Sequence, residues 1–236
     1  ALKGLTTASI FAAILIPTQI FVGDLHGLNT LKHQPAKVAA MEAIWDDEQG
    51  ADLLLFAWPN EKTRTNQFSL AVPKGASLIL THSLEGEIQG LNSFKGEHPP
   101  VKPLFFGFRL MVGIGMLMLL ASFTNLYFLR KKTLPKRLLQ ANIAMTFSGW
   151  LATLAGWYVT EVGRQPWIVY GQLRVADIVA DHETGTVLAS LLAYAGLYVF
   201  LLYSYVRAVR YLATKPSRSL LEPQMQGFTE EGVQHD

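Results

Sequence analysis

The sequence predicts an all-α membrane protein of four transmembrane helices, with a long extracytoplasmic loop between the first and the second. Three observations carry this. Half of the 236 residues are hydrophobic and only 16% are charged, a balance seldom met in a soluble domain. Four apolar runs, residues 4–22, 105–129, 138–160 and 186–206, each approach the ~20 residues that a helix needs to cross a bilayer. Lys and Arg gather in two of the segments that follow these runs, as cytoplasmic loops require.

Taken in order, residues 1–22 form the first span, and Pro17 inside it is expected to kink or locally unwind it. Residues 23–103 form the long outer loop. The second span, 104–130, carries Arg109 near its start. Residues 131–137 are a short cytoplasmic loop. With Arg130 they make the stretch Arg130-Lys-Lys-Thr-Leu-Pro-Lys136-Arg137, with five positive charges and no acid. The third span, 138–161, starts with Gln140 and Asn142 and then turns apolar. Residues 162–185 face outward. The fourth span, 186–208, is rich in Leu, Ala and Tyr, and the tail 209–236 returns to the cytoplasm, polar and expected to be disordered after Thr214. The opening Ala-Leu-Lys-Gly matches no secretory leader and reads as the start of a fragment or a processed product.

The outer loop is too long for a plain connector. An amphipathic helix is expected from Pro35 to Trp45, with proline at its first turn. Strand-like runs follow at 67–72 and 77–81, separated by Pro73-Lys-Gly75. There are no cysteines, which excludes disulfides, iron–sulfur clusters and thiolate metal sites. A net charge of +2 calls for no nucleic-acid partner.

Four constellations carry possible chemistry. On the loop helix, Val38, Met41 and Trp45 form an apolar stripe with Lys37 and Glu42 on its two sides. A flat amphipathic ring such as a quinol, which must lose protons as well as electrons, would meet a cation on one edge and a base on the other. Ordinary solvated surface charges give the same pattern. In Phe105-Phe-Gly-Phe-Arg109-Leu-Met111, Met111 falls roughly 10–12 Å inside the membrane. Its thioether is a soft ligand able to bind haem iron, and Gly115 one turn on leaves room for a macrocycle. Arg109 lies ~200° around the helix from Met111 and points nearly the other way. A core methionine beside a snorkelling arginine is the plainer alternative. In Trp157 through Glu161-Val-Gly-Arg164-Gln-Pro166-Trp167, a carboxylate and a guanidinium stand where an apolar helix meets the interface. Such a place usually marks a functional site, and an interfacial ion pair is the plainer reading. Finally, Gly23-Asp-Leu-His26-Gly27 reads as a helix stop with a solvated histidine. The other histidines show no metal-ligand spacing.

In their shared order, Gly23-Asp-Leu-His-Gly27, the Lys37/Glu42 helix, Pro103 through Met111, and Gly156-Trp157 through Trp167 resemble subunit I of the cytochrome bd-type quinol oxidases, the cyanide-insensitive branch included. The resemblance covers nearly the whole chain but only part of that subunit, whose nine spans would end with these four. It implies that Met111 is an axial ligand of a low-spin b haem with Arg109 nearby. It implies that Glu161 is the ligand of a high-spin b haem, with Trp157 and Arg164 beside it, and that Lys37 and Glu42 belong to a quinol-binding loop where Glu42 helps take protons. A third haem, d or a further b, is implied at the oxygen site. The implied partners are the lipid bilayer, subunit II, the N-terminal half of subunit I, ubiquinol or menaquinol, and oxygen. The implied location is the bacterial inner membrane. The competing readings are a four-span transporter or assembly partner without redox chemistry, and a membrane-anchored binding module.

Overall fold

The computed structural model describes residues 2–178 and 183–214; the expected disorder of the tail after Thr214 lies outside them. Two compact units divide at residues 179 and 180. The first holds the long helix α1 (Leu2–His33) and the short helix α2 (Pro35–Glu42). It continues through strands β1 (Glu48–Gln49), β2 (Leu53–Asn60) and β3 (Thr65–Val72), helix α3 (Gly75–Thr81) and strand β4 (Glu87–Ile88). Helices α4 (Val101–Arg130), α5 (Lys136–Ala144) and α6 (Ser148–Val162) follow, then the hairpin of β5 (Trp167–Val169) and β6 (Leu173–Arg174). The second unit holds α7 (Thr184–Thr214). Among the described residues, three helices are long and apolar enough to cross a membrane: Leu2–His33, Val101–Arg130 and Thr184–Leu212.

The sequence reading needs four corrections. First, α1 does not stop at Gly23; it runs to His33. Each glycine inside a helix costs only about 1 kcal/mol, and contacts of α1 with α2 and α3 offset that. Asp24 sits 3.9 Å from His82 at the end of α3. At ~1.5 Å per residue the helix is longer than a ~30 Å hydrocarbon core, so its last turns belong to the loop. Pro17 lies within the unbroken helix assignment. Second, the loop helix ends at Glu42, not Trp45, because Ala43 turns left-handed at φ 54° and its N–H closes back on the last turn. Third, residues 77–81 are helix, not strand. The N–H groups of Ala76 and Ser77 both donate to the Ala51 carbonyl, and the Ser77 hydroxyl bridges Ala51 N–H and the Gly86 carbonyl at 2.7 Å each, so the apolar run starts as a capped turn. Fourth, the third apolar run is two helices, α5 and α6, broken at 145–147. There the Thr146 and Ser148 hydroxyls take the Ile143 and Met145 carbonyls, and such local bonds compete with the helix ladder.

The run 67–72 does lie in a strand, β3, which pairs antiparallel with β2 from Leu53↔Val72 to Asn60↔Thr65 across two register irregularities. The core of this unit gathers at the mouth of the helices. Ala39, Ala40 and Ala43 around α2 pack with Ala57 of β2, Leu91, and Val101, Leu104 and Phe105 of α4. The small alanines let α2 lie flat across the start of α4. Trp45 closes the cluster, its indole N–H donating to Asn66, which in turn donates to the Ala43 carbonyl.

Candidate functional site

The start of α4 is fixed from the loop: the Glu61 carboxylate accepts from the N–H groups of Val101 and Lys102, capping a helix that begins on a proline. One turn in, Phe105 is fully buried. The Arg109 guanidinium stacks on its ring at 3.8 Å. Its N–H donors reach the Leu54 carbonyl of β2, the Met41 carbonyl, and the Glu42 carboxylate at 2.7 Å. Glu42 is buried at 6% exposure and Arg109 largely so at 16%. Burial pushes the Glu42 carboxyl above its ordinary range, and the charge and hydrogen bond of Arg109 oppose this only in part.

Met111 leaves α4 on the opposite side, as the helical spacing requires, and faces α6. Its sulfur lies 2.7 Å from where a side chain on Gly156 would begin, so the thioether occupies the space that the glycine leaves. One turn away the relation reverses, and Val159 of α6 fills the space beside Gly107 of α4, 2.9 Å from the position of a Cβ there. On the same α4 face, Gly115 has open space around it.

The end of α6 carries the remaining candidates. Arg164 donates to Glu161 at 3.1 Å, both about half-exposed at 49% and 46%. Trp157 is mostly exposed and meets Tyr158 edge-on at 5.5 Å. Lys37 crosses from α2 to donate to the Thr160 carbonyl at 3.4 Å. Burial and the nearby Arg164 charge hold its amine below its ordinary range, with Glu161 opposing. Beyond α6, Arg174 pairs with Glu97 and lies 5.2 Å over the Trp167 ring, tying the hairpin to the outer loop. His26 is exposed, as expected, and no cluster of metal-ligating side chains occurs among the described residues.

The structure therefore joins what the sequence presented as separate motifs. Lys37 and Glu42 do not both stand at a solvated surface. Glu42 is buried against Arg109, and Lys37 is half-buried against α6. The Glu42–Arg109 pair was missed. A signal for it existed: each is a lone charge in apolar surroundings, and such charges need a counter-charge. Arg109 directs its donors to α2 and β2.

A family model for cytochrome bd terminal oxidase subunit I matches residues 1–217. The chain belongs to that family. The bd-oxidase resemblance read from the motifs is thus borne out. The chain is 32% identical over 206 residues to cytochrome bd ubiquinol oxidase subunit 1 of Bacillus subtilis, covering 80% of this chain and 44% of that protein. It is 26% identical over 291 residues to cytochrome bd-II ubiquinol oxidase subunit 1 of Escherichia coli, covering 92% and 55%. The structure of bd oxidase from Geobacillus thermodenitrificans superposes with a TM-score of 0.73 at 27% identity, covering 91% of this chain and 49% of that one. The chain thus spans about half the length of its bd-oxidase relatives.

The donor set suits the haems that a bd oxidase implies. A thioether is held at a helix seam beside open space, and a carboxylate lies half-exposed on a separate helix end. Each would supply one ligand to a bound haem, and the partners of each would have to come from beyond these residues.

Proposed function

We propose that this chain is the quinol-oxidising part of a bd-type terminal oxidase, which takes electrons from quinol and reduces oxygen to water in the aerobic respiratory chain. The observation that carries the reading is the seating of α2. One helix of the outer loop is clasped to α4 through Glu42 and Arg109, and to α6 through Lys37, directly above the seam that holds Met111. A quinol docked at α2 would lie beside both a buried base and the helix bearing a haem ligand.

In this reading α5 and α6 together make one crossing, for four spans in all. Residues 23–103 and 162–185 face outward, and 131–137 and the tail face the cytoplasm of a bacterium, with the chain in the inner membrane. Glu42 accepts a quinol hydroxyl proton, and Arg109 holds that carboxylate in place. Lys37 orients the other edge of the ring. Met111 would hold a low-spin b haem and Glu161 a high-spin b haem, with Trp157 and Arg164 at its edge. The haems, including one of d or b type at the oxygen site, supply electron transfer and oxygen reduction when bound. Subunit II and the N-terminal half of subunit I complete the assembly, and ubiquinol or menaquinol is the donor. No structural observation favours a transporter or a plain binding module.

The test is a reduced-minus-oxidised optical spectrum of membranes carrying the full-length gene with its second subunit. Haem bands that reduce on quinol addition are expected, and a long-wavelength band would identify haem d. Well-folded protein without any haem signal would reject the reading.

A further inference from the structure

Lys37 reaches α6 through the space of a missing side chain. We propose that Gly163, just past the end of α6, is a positioning residue for Lys37 and, through it, for quinol; this rests on the quinol-oxidising reading above. A side chain begun at Gly163 would lie 2.6 Å from Cε and 3.1 Å from Cδ of Lys37, and 2.4 Å from the Val159 carbonyl oxygen. Contacts below 3.0 Å are essentially never made by a real Cβ. The φ of Gly163, −67°, is one any residue adopts, so the demand for glycine comes from the Val159 carbonyl of the same helix and from the Lys37 stem. Space is what the position supplies. The lysine stem lies in that space, and its ammonium meets the Thr160 carbonyl at 3.4 Å, in the last turn of α6. There helix carbonyls lack ladder partners and the helix end favours a cation.

Gly163 and Gly156 are seven residues apart, about two helical turns, and so share one face of α6. One slot receives the Met111 sulfur from α4, and the other receives the Lys37 stem from α2. The face of α6 that seats a haem ligand thus also sets where the loop cation stands. Filling the upper slot would push the amine out of the cleft and leave the quinol without its partner on that edge.

The test uses the full two-subunit enzyme in membranes, as wild type, Gly163→Ala, Lys37→Ala and the double variant. Acylation of Lys37 by a water-soluble amine reagent, read by peptide mass spectrometry, reports its position independently of activity. In wild type, Lys37 is expected to label more slowly than the exposed Lys62, and Gly163→Ala is expected to bring the two closer. Quinol KM is expected to rise about tenfold in Gly163→Ala, the scale of one lost charged hydrogen bond, with kcat and haem content little changed. Adding Gly163→Ala to Lys37→Ala should then change nothing further. Equal labelling of Lys37 and Lys62 in wild type overturns the proposal even if the glycine variant fails to fold. Unchanged labelling in Gly163→Ala, or additive kinetics in the double variant, overturns it as well. Faster labelling with an unchanged KM in both single variants keeps the slot but rejects the quinol role of Lys37.

Discussion

Two of the carboxylate–guanidinium pairs among the described residues, Glu161–Arg164 and Glu42–Arg109, are built in opposite ways. Glu161 and Arg164 are three residues apart on one helix end and about half-exposed. Glu42 and Arg109 come from different helices, 67 residues apart, and are largely buried. The first pair is written in the sequence and is worth little, since exposed pairs contribute only about 0–1 kcal/mol. The second is invisible to local spacing and determines where the loop sits. Its Arg109 also satisfies two loop carbonyls and stacks on Phe105, so one side chain ties α2 and β2 to α4.

The largest effect is therefore expected from breaking the buried pair on one side. Arg109→Met leaves Glu42 uncompensated and two carbonyls without donors, which should cost about 3–5 kcal/mol. Limited proteolysis of the full enzyme should then cut the 23–103 loop far faster than in wild type. A loop as resistant as wild type would show that the pair does not hold it.

Next comes the base itself. Because burial raises the Glu42 pKa above 4.5, the carboxylate fills as pH rises through that raised value, and quinol oxidation should rise over the same window. Stability runs the other way. A carboxyl bound to its proton more tightly in the folded state stabilises fully below 4.5 and loses that contribution as pH climbs through the folded value. Glu42→Gln should slow oxidation by about a hundredfold or more, the usual scale for a lost general base, and flatten both profiles while the haem spectrum stays intact. A rate that keeps its wild-type pH profile in the variant would assign the titration elsewhere.

What the sequence made legible follows from range. The second and fourth apolar runs, the loop strand at 67–72, the opposed directions of Arg109 and Met111, and the short-range Glu161–Arg164 pair all depend on spacing along one element, and all appear as read. The errors came where tertiary contacts or local side-chain bonds override the period. Gly23 and Gly27 stay helical because α1 is packed against the loop. Residues 77–81 coil because Ser77 is held by Ala51 and Gly86. The third run breaks because hydroxyls of Thr146 and Ser148 take carbonyls that helical periodicity assigns to the ladder. Lys37 and Glu42 were seen as one amphipathic helix, but only the folded chain reveals that Glu42 faces α4 and Lys37 faces α6.

The slot at Gly156 sharpens the comparison on the haem side. Gly156→Ala places a methyl 2.7 Å from the Met111 sulfur, so the thioether must shift or rotate away. The low-spin haem spectrum should change in Gly156→Ala, and more strongly in Met111→Leu, while quinol binding at α2 is retained. An unaltered spectrum in Met111→Leu would remove the methionine as a ligand.

The smallest effect belongs to the exposed pair. Arg164→Gln removes a partner that water replaces easily, so thermal stability should fall by no more than about 1 kcal/mol. Yet burial first and Arg164 second lower the Lys37 pKa, while Glu161 raises it, so removing the guanidinium should raise the Lys37 pKa and slow its acylation at a fixed alkaline pH. The same pair that barely affects stability would thus still adjust the titration of the loop cation. A drop in stability as large as that of Arg109→Met would mean that the two pairs do not differ as their burial indicates.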